Sequence, residues 1–320
     1  MALEILLFIV GLALVILGAD FLVNGASSIA RKFGLSEFVI GLTIVGMGTS
    51  APEMVVSFIG AIEGNADIAV GNVLGSNIFN TLLILGVTCM ILPMTVTKMN
   101  LRKDIPINLA ATVIMLILGM TATLFGLGKN GLSRIDGMIL LLLFVGYMVA
   151  SFKLDSSDNN NDAEDKAKPM PTFKAILMIA AGLAGLIFGG KMFVNSATEI
   201  AKMLNVSDKL IAITILAGGT SMPELATCVV AALKKKGQLA LGNVIGSNIF
   251  NILLILGGSA VIHPLSFDGI SIIDVSFFAF GALAIFIFAY TFKKNQIDRI
   301  EGGILVLAEI IYMTLLIMGK

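Results

Sequence analysis

GTSAPE at Gly48–Glu53, followed by GNVLGSNIFNTLLILG at Gly71–Gly86, returns later in the chain as GTSMPE at Gly219–Glu224 and GNVIGSNIFNILLILG at Gly242–Gly257. Both blocks are displaced by 171 residues, and Gly18–Ser50 aligns without gaps onto Gly189–Ser221 at the same offset. One unit is therefore present twice. Each copy sets a carboxylate, hydroxyls and amides inside otherwise apolar sequence, where an ionisable side chain is costly and marks function.

Composition names the solvent. With 57% hydrophobic and 13% charged residues over 320 positions, and a mean hydropathy of +1.00, the chain has too little polar surface for a water-soluble globule, so its partner is the lipid bilayer. The net charge of zero gives no reason to expect nucleic acid. Cys89 and Cys228 lie in apolar sequence and read as small buried hydrophobes. The first apolar segment lacks a basic start and has an internal counterpart, so it reads as architecture rather than a leader.

A bilayer-spanning helix takes roughly 20 apolar residues. The hydropathy pattern predicts ten spans, near 3–25, 36–62, 66–92, 105–126, 132–152, 173–195, 208–233, 239–262, 270–291 and 300–318. RIDGMILLLLFVGYM (Arg134–Met148) and RIEGGILVLAEIIYM (Arg299–Met313) match the fifth span to the tenth. Five spans is an odd number, so the second copy enters from the opposite face, giving an inverted-topology repeat. The expected layout is a first repeat at 1–152, a cytoplasmic linker at 153–172 and a second repeat at 173–320. An external N-terminus places fifteen Lys and Arg inside and six outside, which favours a multi-pass plasma (inner) membrane protein with both termini outside. Within the linker, Asp158, Asn160 and Asp162 mimic the start of an EF-hand, but Ala163 and Pro169 stand where its glycine and glutamate belong, so the segment reads as a flexible linker.

About halfway across the second span, Gly46 and Gly48 meet Pro52, which has no amide hydrogen and interrupts the helix. Freed backbone oxygens at that depth are tolerated where they line a polar cavity. Thr49 and Glu53 are four residues apart and share a face if helical geometry survives the break. Ala217, Gly219, Thr220, Ser221, Pro223 and Glu224 repeat the arrangement. The second block adds Ser76 and Asn80, with Ser247 and Asn251 as counterparts. Gly71, Gly75, Gly242 and Gly246 suit close helix packing. Asn72, Asn77, Asn243 and Asn248 suit either ion coordination or hydrogen bonding between helices. A cage of oxygens alone fits a hard cation such as Ca²⁺, and Na⁺ is similar in size. His263 precedes Pro264 at a helix end and reads as interfacial, Asp20 as interfacial or snorkelling, and Glu309 as a structural hydrogen-bonding residue.

GTSAPE with GTSMPE, and GNVLGSNIFN with GNVIGSNIFN, resemble the two α-repeats of the cation/calcium antiporter superfamily, specifically its prokaryotic sodium/calcium exchanger branch. The resemblance implies an all-α integral membrane protein of ten transmembrane helices, built as two inverted five-helix repeats with helices 2, 3, 7 and 8 broken. It implies a secondary antiporter, not an enzyme, that exchanges Na⁺ for Ca²⁺ by alternating access, with both ions as transported substrates, no cofactor, and spans 1 and 6 sliding across the core. Position by position, it makes Glu53 and Glu224 the shared carboxylates, flanked by Thr49 and Thr220. Ser50, Ser76, Ser221 and Ser247, with the carbonyls of Gly46 and Ala217, would complete Na⁺ sites, and Asn80 and Asn251 the remaining central positions. Some relatives, including potassium-dependent exchangers and some prokaryotic sodium/calcium exchangers, carry aspartate at the place of Asn251, and its absence here counts against the alternative of a K⁺-dependent Na⁺/Ca²⁺ exchanger. A Ca²⁺/H⁺ exchanger and a passive cation channel are the competing readings. The first is disfavoured because Asn80 and Asn251 add no titratable group, the second because inverted repeats with broken helices belong to carriers.

Overall fold

A computed structural model describes residues 1–126, 128–155, 169–204, 217–267, 269–291 and 295–318. The principal helices are α1 (Ala2–Phe33), α2 (Glu37–Thr49), α3 (Ala51–Ile62), α4 (Ala66–Ile91), α5 (Ile105–Gly119), α6 (Arg134–Asp155), α7 (Thr172–Met203), α8 (Met222–Leu233), α9 (Gly237–Ile262), α10 (Ile272–Phe288) and α11 (Arg299–Ile317). Among the described residues, six helices are long and apolar enough to cross a membrane, and α2 with α3, bent by 49°, passes the same test as a pair. The other three expected spans are shorter among the described residues. The fourth is α5 followed by a turn at Thr121–Phe125, the seventh is described from Ala217, and the ninth is α10.

Hydropathy underestimated α1 and α7. Each runs for 32 residues, about 48 Å at 1.5 Å per residue, well beyond the hydrocarbon core. The charged ends Arg31 and Lys32 stay helical until Gly34, whose left-handed φ of 65° stops α1. α1 and α7 pack antiparallel through small residues. A Cβ added to Gly11 would lie 3.0 Å from the carbonyl oxygen of Gly189, and one on Gly18 would lie 2.8 Å from that of Gly182. Gly25 meets the carbonyl oxygen of Ala175 at 2.8 Å in the same way. Backbone approach this close is how helices adhere in lipid, where apolar side chains gain nothing by leaving their neighbours.

The centre is the driest part. Along α9, Leu239–Asn251 is buried without interruption, so this helix is surrounded by protein on every side. Its glycines admit α2: a Cβ on Gly242 would fall 2.2 Å from the carbonyl oxygen of Phe38, and one on Gly246 2.5 Å from that of Leu42. The packing role expected of these two glycines is what the structure shows. For Gly71 and Gly75 the counterpart positions, 209 and 213, lie outside the described residues. Gly242→Val is expected to destabilise the protein by about 1–3 kcal/mol or more, because rigid backbone must move to admit the side chain. Thermal unfolding in detergent checks this, with Gly303→Ala, which has open space around it, as the neutral control.

Among the described residues, two short β ladders join the halves. β1 (Met94–Thr95) pairs antiparallel with β4 (Gln296–Ile297), and β2 (Gly131–Leu132) with β3 (Leu265–Ser266). Each ladder clips a loop of the first half to a loop of the second.

One expected feature is corrected. The third and eighth spans are continuous helices, α4 and α9, and not broken ones. Each instead contains a π-helical stretch, Asn80–Ile84 in α4 and Asn251–Leu256 in α9. Neither segment contains proline, so nothing forces a break. A π turn leaves the helix axis intact while displacing one residue's backbone pairing, and such turns gather at functional sites.

Candidate functional site

The site is built at the two places where a helix stops at a serine and restarts with a proline. Ser50 and Ser221 adopt almost the same backbone conformation, φ −79° and ψ 8° against φ −86° and ψ 7°. In each case the next helix carries proline in its first turn, where the missing amide hydrogen costs nothing. Glu53 and Glu224 follow in those first turns, where the exposed amide ends of the helix favour an anion. Their side chains are buried, at 0% and 1% exposure.

The expectation that Thr49 and Glu53 share a face required helical geometry across the break, and the helix is interrupted at Ser50 and bent by 49°. Each carboxylate is instead served by the other repeat. Ser50 Oγ donates to Glu224 Oε1 at 2.8 Å, and Ser221 Oγ donates to Glu53 Oε1 at 3.2 Å. Thr220 lies beside Glu53, and Thr49 beside Glu224. The second block of each repeat then contributes at longer range, Ser76 Oγ to Glu53 Oε1 and Ser247 Oγ to Glu224 Oε1, both at 3.5 Å. Neither half holds a complete site alone.

The remaining polar atoms divide into used and free. Glu53 Oε2, Glu224 Oε2, Asn251 Oδ1 and both polar atoms of the Asn80 amide are buried without a hydrogen-bond partner. No Lys or Arg among the described residues forms an ion pair with either glutamate. The Gly46 carbonyl is already engaged by the Ser50 amide at 3.0 Å and by the Thr49 and Ser247 hydroxyls at 3.3 Å each. Ala217 opens a helical turn at the matching place in the second repeat.

The four asparagines left between two roles make hydrogen bonds between helices. Asn72 Nδ2 donates to the Glu53 carbonyl at 3.1 Å and to Ser57 Oγ at 2.9 Å. Asn243 accepts from Thr49 Oγ1 at 3.2 Å and approaches Cys228 Sγ at 3.2 Å. Asn77 Nδ2 donates to the Asn248 carbonyl at 3.2 Å, its Oδ1 accepts from Asn251 Nδ2 at 2.9 Å, and Asn248 Nδ2 donates to Thr81 Oγ1 at 2.8 Å. Asn251 is thereby held by its nitrogen, which leaves its oxygen available. Ser57 and Cys228 were missed as polar participants. They are 171 residues apart and each donates to the equivalent carbonyl, Ala69 or Ala240, so the offset itself was the available signal.

Outside this centre, Asp20 is not merely interfacial, because Lys234 Nζ lies 2.6 Å from its Oδ1. His263 stands at the end of α9, as expected, and is exposed, with Nδ1 2.9 Å from the Pro264 carbonyl oxygen. Glu309 is buried and its Oε2 has no hydrogen-bond partner, so the expected structural hydrogen bond is not seen.

Two buried carboxylates with free oxygens, in a helical protein too apolar for water, define a membrane protein that handles cations. The model of the family described as sodium/calcium exchanger protein matches residues 3–153 and 174–318. The chain belongs to that family. It is 41% identical over 316 residues to the putative antiporter CaxA of Alkalimonas amylolytica, covering 96% of this chain and 97% of CaxA. It is 31% identical over 342 residues to the sodium/calcium exchanger MaX1 of Methanosarcina acetivorans, covering 97% of each. Among solved structures it is similar to the sodium-calcium exchanger NCX_Mj soaked with Na⁺ and Ca²⁺, with a TM-score of 0.83, 34% identity and 98% of both chains covered. The resemblance in the sequence is therefore borne out at the level of family, and with it cation antiport as the kind of activity.

Proposed function

We propose that the protein exports Ca²⁺ in exchange for Na⁺ by alternating access, with both ions competing for the oxygens around Glu53 and Glu224. The observation that carries this reading is the pair of free carboxylate oxygens, Glu53 Oε2 and Glu224 Oε2, buried together with the free Asn80 and Asn251 oxygens. A buried carboxylate without a partner is expensive, and a bound cation removes that expense. Thr49, Thr220, Ser50, Ser221, Ser76 and Ser247 add neutral oxygens, with the Gly46 and Ala217 carbonyls at the flanks. A site assembled from both repeats suits a carrier, because relative movement of the halves opens it without dismantling either.

The reading includes ten spans in two inverted five-helix repeats, residues 1–152 and 173–320, joined by a cytoplasmic linker at 153–172. The matched breaks at Ser50 and Ser221 and the paired loop clips support the inversion. Both termini lie outside, in the plasma membrane, by the distribution of Lys and Arg. In proteoliposomes, a Na⁺ gradient directed outward from the lumen is expected to drive Ca²⁺ accumulation. Accumulation driven equally well by a pH gradient in the absence of Na⁺ would replace this reading with Ca²⁺/H⁺ exchange.

A further inference from the structure

At the end of α8, Lys234 Nζ lies 2.6 Å from Asp20 Oδ1 of α1 and donates to Asn24 Oδ1 at 2.7 Å. Asn24 Nδ2 closes the triangle by donating to Asp20 Oδ2 at 2.9 Å. Shifted by the 171-residue offset, Asp20 becomes Lys191, Asn24 becomes Asn195 and Lys234 becomes Glu63. The pair recurs with its charges exchanged and its amide retained. An amide suits both versions, because its oxygen accepts from a lysine while its nitrogen donates to a carboxylate.

Only one copy is assembled. Lys191, Asn195 and Glu63 are exposed, and their side chains make no hydrogen bond or ion pair among the described residues. The local backbone does not explain the difference. After α3, the amides of Glu63, Gly64 and Asn65 bond to the carbonyls of Ile59, Ala61 and Gly60. After α8, those of Lys234, Lys235 and Lys236 bond to the equivalent carbonyls of Val230, Ala232 and Ala231. The difference lies in packing: α1 runs along α8, while α7 makes no comparable contact with α3.

We propose that the chain carries two alternating ion-pair latches, Asp20–Lys234 on the cytoplasmic side, closed in this structure, and Glu63–Lys191 on the outer side, open here. The proposal rests on the alternating-access reading above. Because α1 and α7 are held backbone to backbone at Gly11, Gly18 and Gly25, they move as one body. A movement that draws α1 away from α8 carries α7 toward α3, so one latch opens as the other closes. The structure is then an outward-facing state. Lys234 and Asp20 keep side-chain exposures of 28% and 40%, so each latch biases the equilibrium by no more than about fivefold. That is strong enough to favour a state and weak enough not to trap it.

The test first reads both latches with their charges intact. Spin labels are placed at Ile62→Cys with Phe188→Cys for the outer latch and at Leu17→Cys with Leu233→Cys for the inner one, all exposed positions. Cys89 and Cys228 are buried and stay unlabelled. In full-length protein in liposomes, compared in Na⁺ and in Ca²⁺, a short 62–188 separation is expected to gain population as the short 17–233 separation loses it. Lys191→Glu is expected to reduce the short 62–188 population roughly three- to fivefold, and adding Glu63→Lys to restore it. If 17–233 lengthens while 62–188 never shortens, the outer latch is overturned and alternating access stands. If neither separation responds to any ion while Ca²⁺ flux persists, alternating access fails and takes the latches with it.

Discussion

Glu53→Gln and Glu224→Gln are each expected to abolish Ca²⁺ transport while the protein still folds. Glutamine keeps the size of the side chain and one oxygen, and its new NH₂ group can donate to a serine hydroxyl that turns to accept. The contacts from Ser221 and Ser76 to Glu53, and from Ser50 and Ser247 to Glu224, therefore survive in reversed form. What is lost is one of the two central charges. A divalent ion leaving water needs that charge to replace its hydration, and removing one partner of a buried charge pair costs about 3–5 kcal/mol, roughly a hundredfold or more in affinity. Each carboxylate binds donors from the opposite repeat, so neither substitution is rescued by the intact half. Flux in proteoliposomes, with unchanged elution and thermal stability as the folding controls, checks the result. Near-normal uptake in either variant would mean that the ions bind elsewhere.

The parts of this centre that were legible in the sequence are those that repeat. The 171-residue offset located Glu53, Glu224, Ser50 and Ser221, because broken helices at membrane depth need glycine and proline and those residues are visible in one dimension. Which carboxylate meets which serine was not legible. Thr49 and Glu53 are four apart in sequence, but the helix bends by 49° between them and Thr49 Oγ1 donates to Asn243 Oδ1 of the other repeat. Such pairing depends on how the halves interlock, and local periodicity carries no record of that. The π turns at Asn80 and Asn251 were equally invisible, since NTLLI and NILLIL have the composition of ordinary helix. The full lengths of α1 and α7 were hidden because their last turns are polar and extend past the apolar stretch that hydropathy detects.

Na⁺-driven Ca²⁺ uptake is expected to proceed without K⁺ and to respond to membrane voltage whenever more than two Na⁺ move per Ca²⁺. Asn80 and Asn251 offer neutral oxygens, so among the described residues Glu53 and Glu224 are the only carboxylates of the central cluster. No group of three or more His, Cys, Asp or Glu occurs there or elsewhere among the described residues. Two negative charges are balanced by one Ca²⁺ or by two Na⁺, and any additional Na⁺ leaves the loaded site positive. Moving that excess charge across the bilayer couples transport to the potential by about 2.3 kcal/mol per charge per 100 mV, so a potential of that size changes the limiting Ca²⁺ gradient nearly fiftyfold. Asn251 is held through its nitrogen by Asn77, which leaves its oxygen free but adds no charge with which to pay for a further monovalent ion. Uptake is measured with K⁺ replaced by choline on both sides, at several clamped potentials. A strict K⁺ requirement would contradict the role given to Asn251. Voltage-independent exchange would fix the ratio at two Na⁺ per Ca²⁺, the count that the two glutamates balance by themselves.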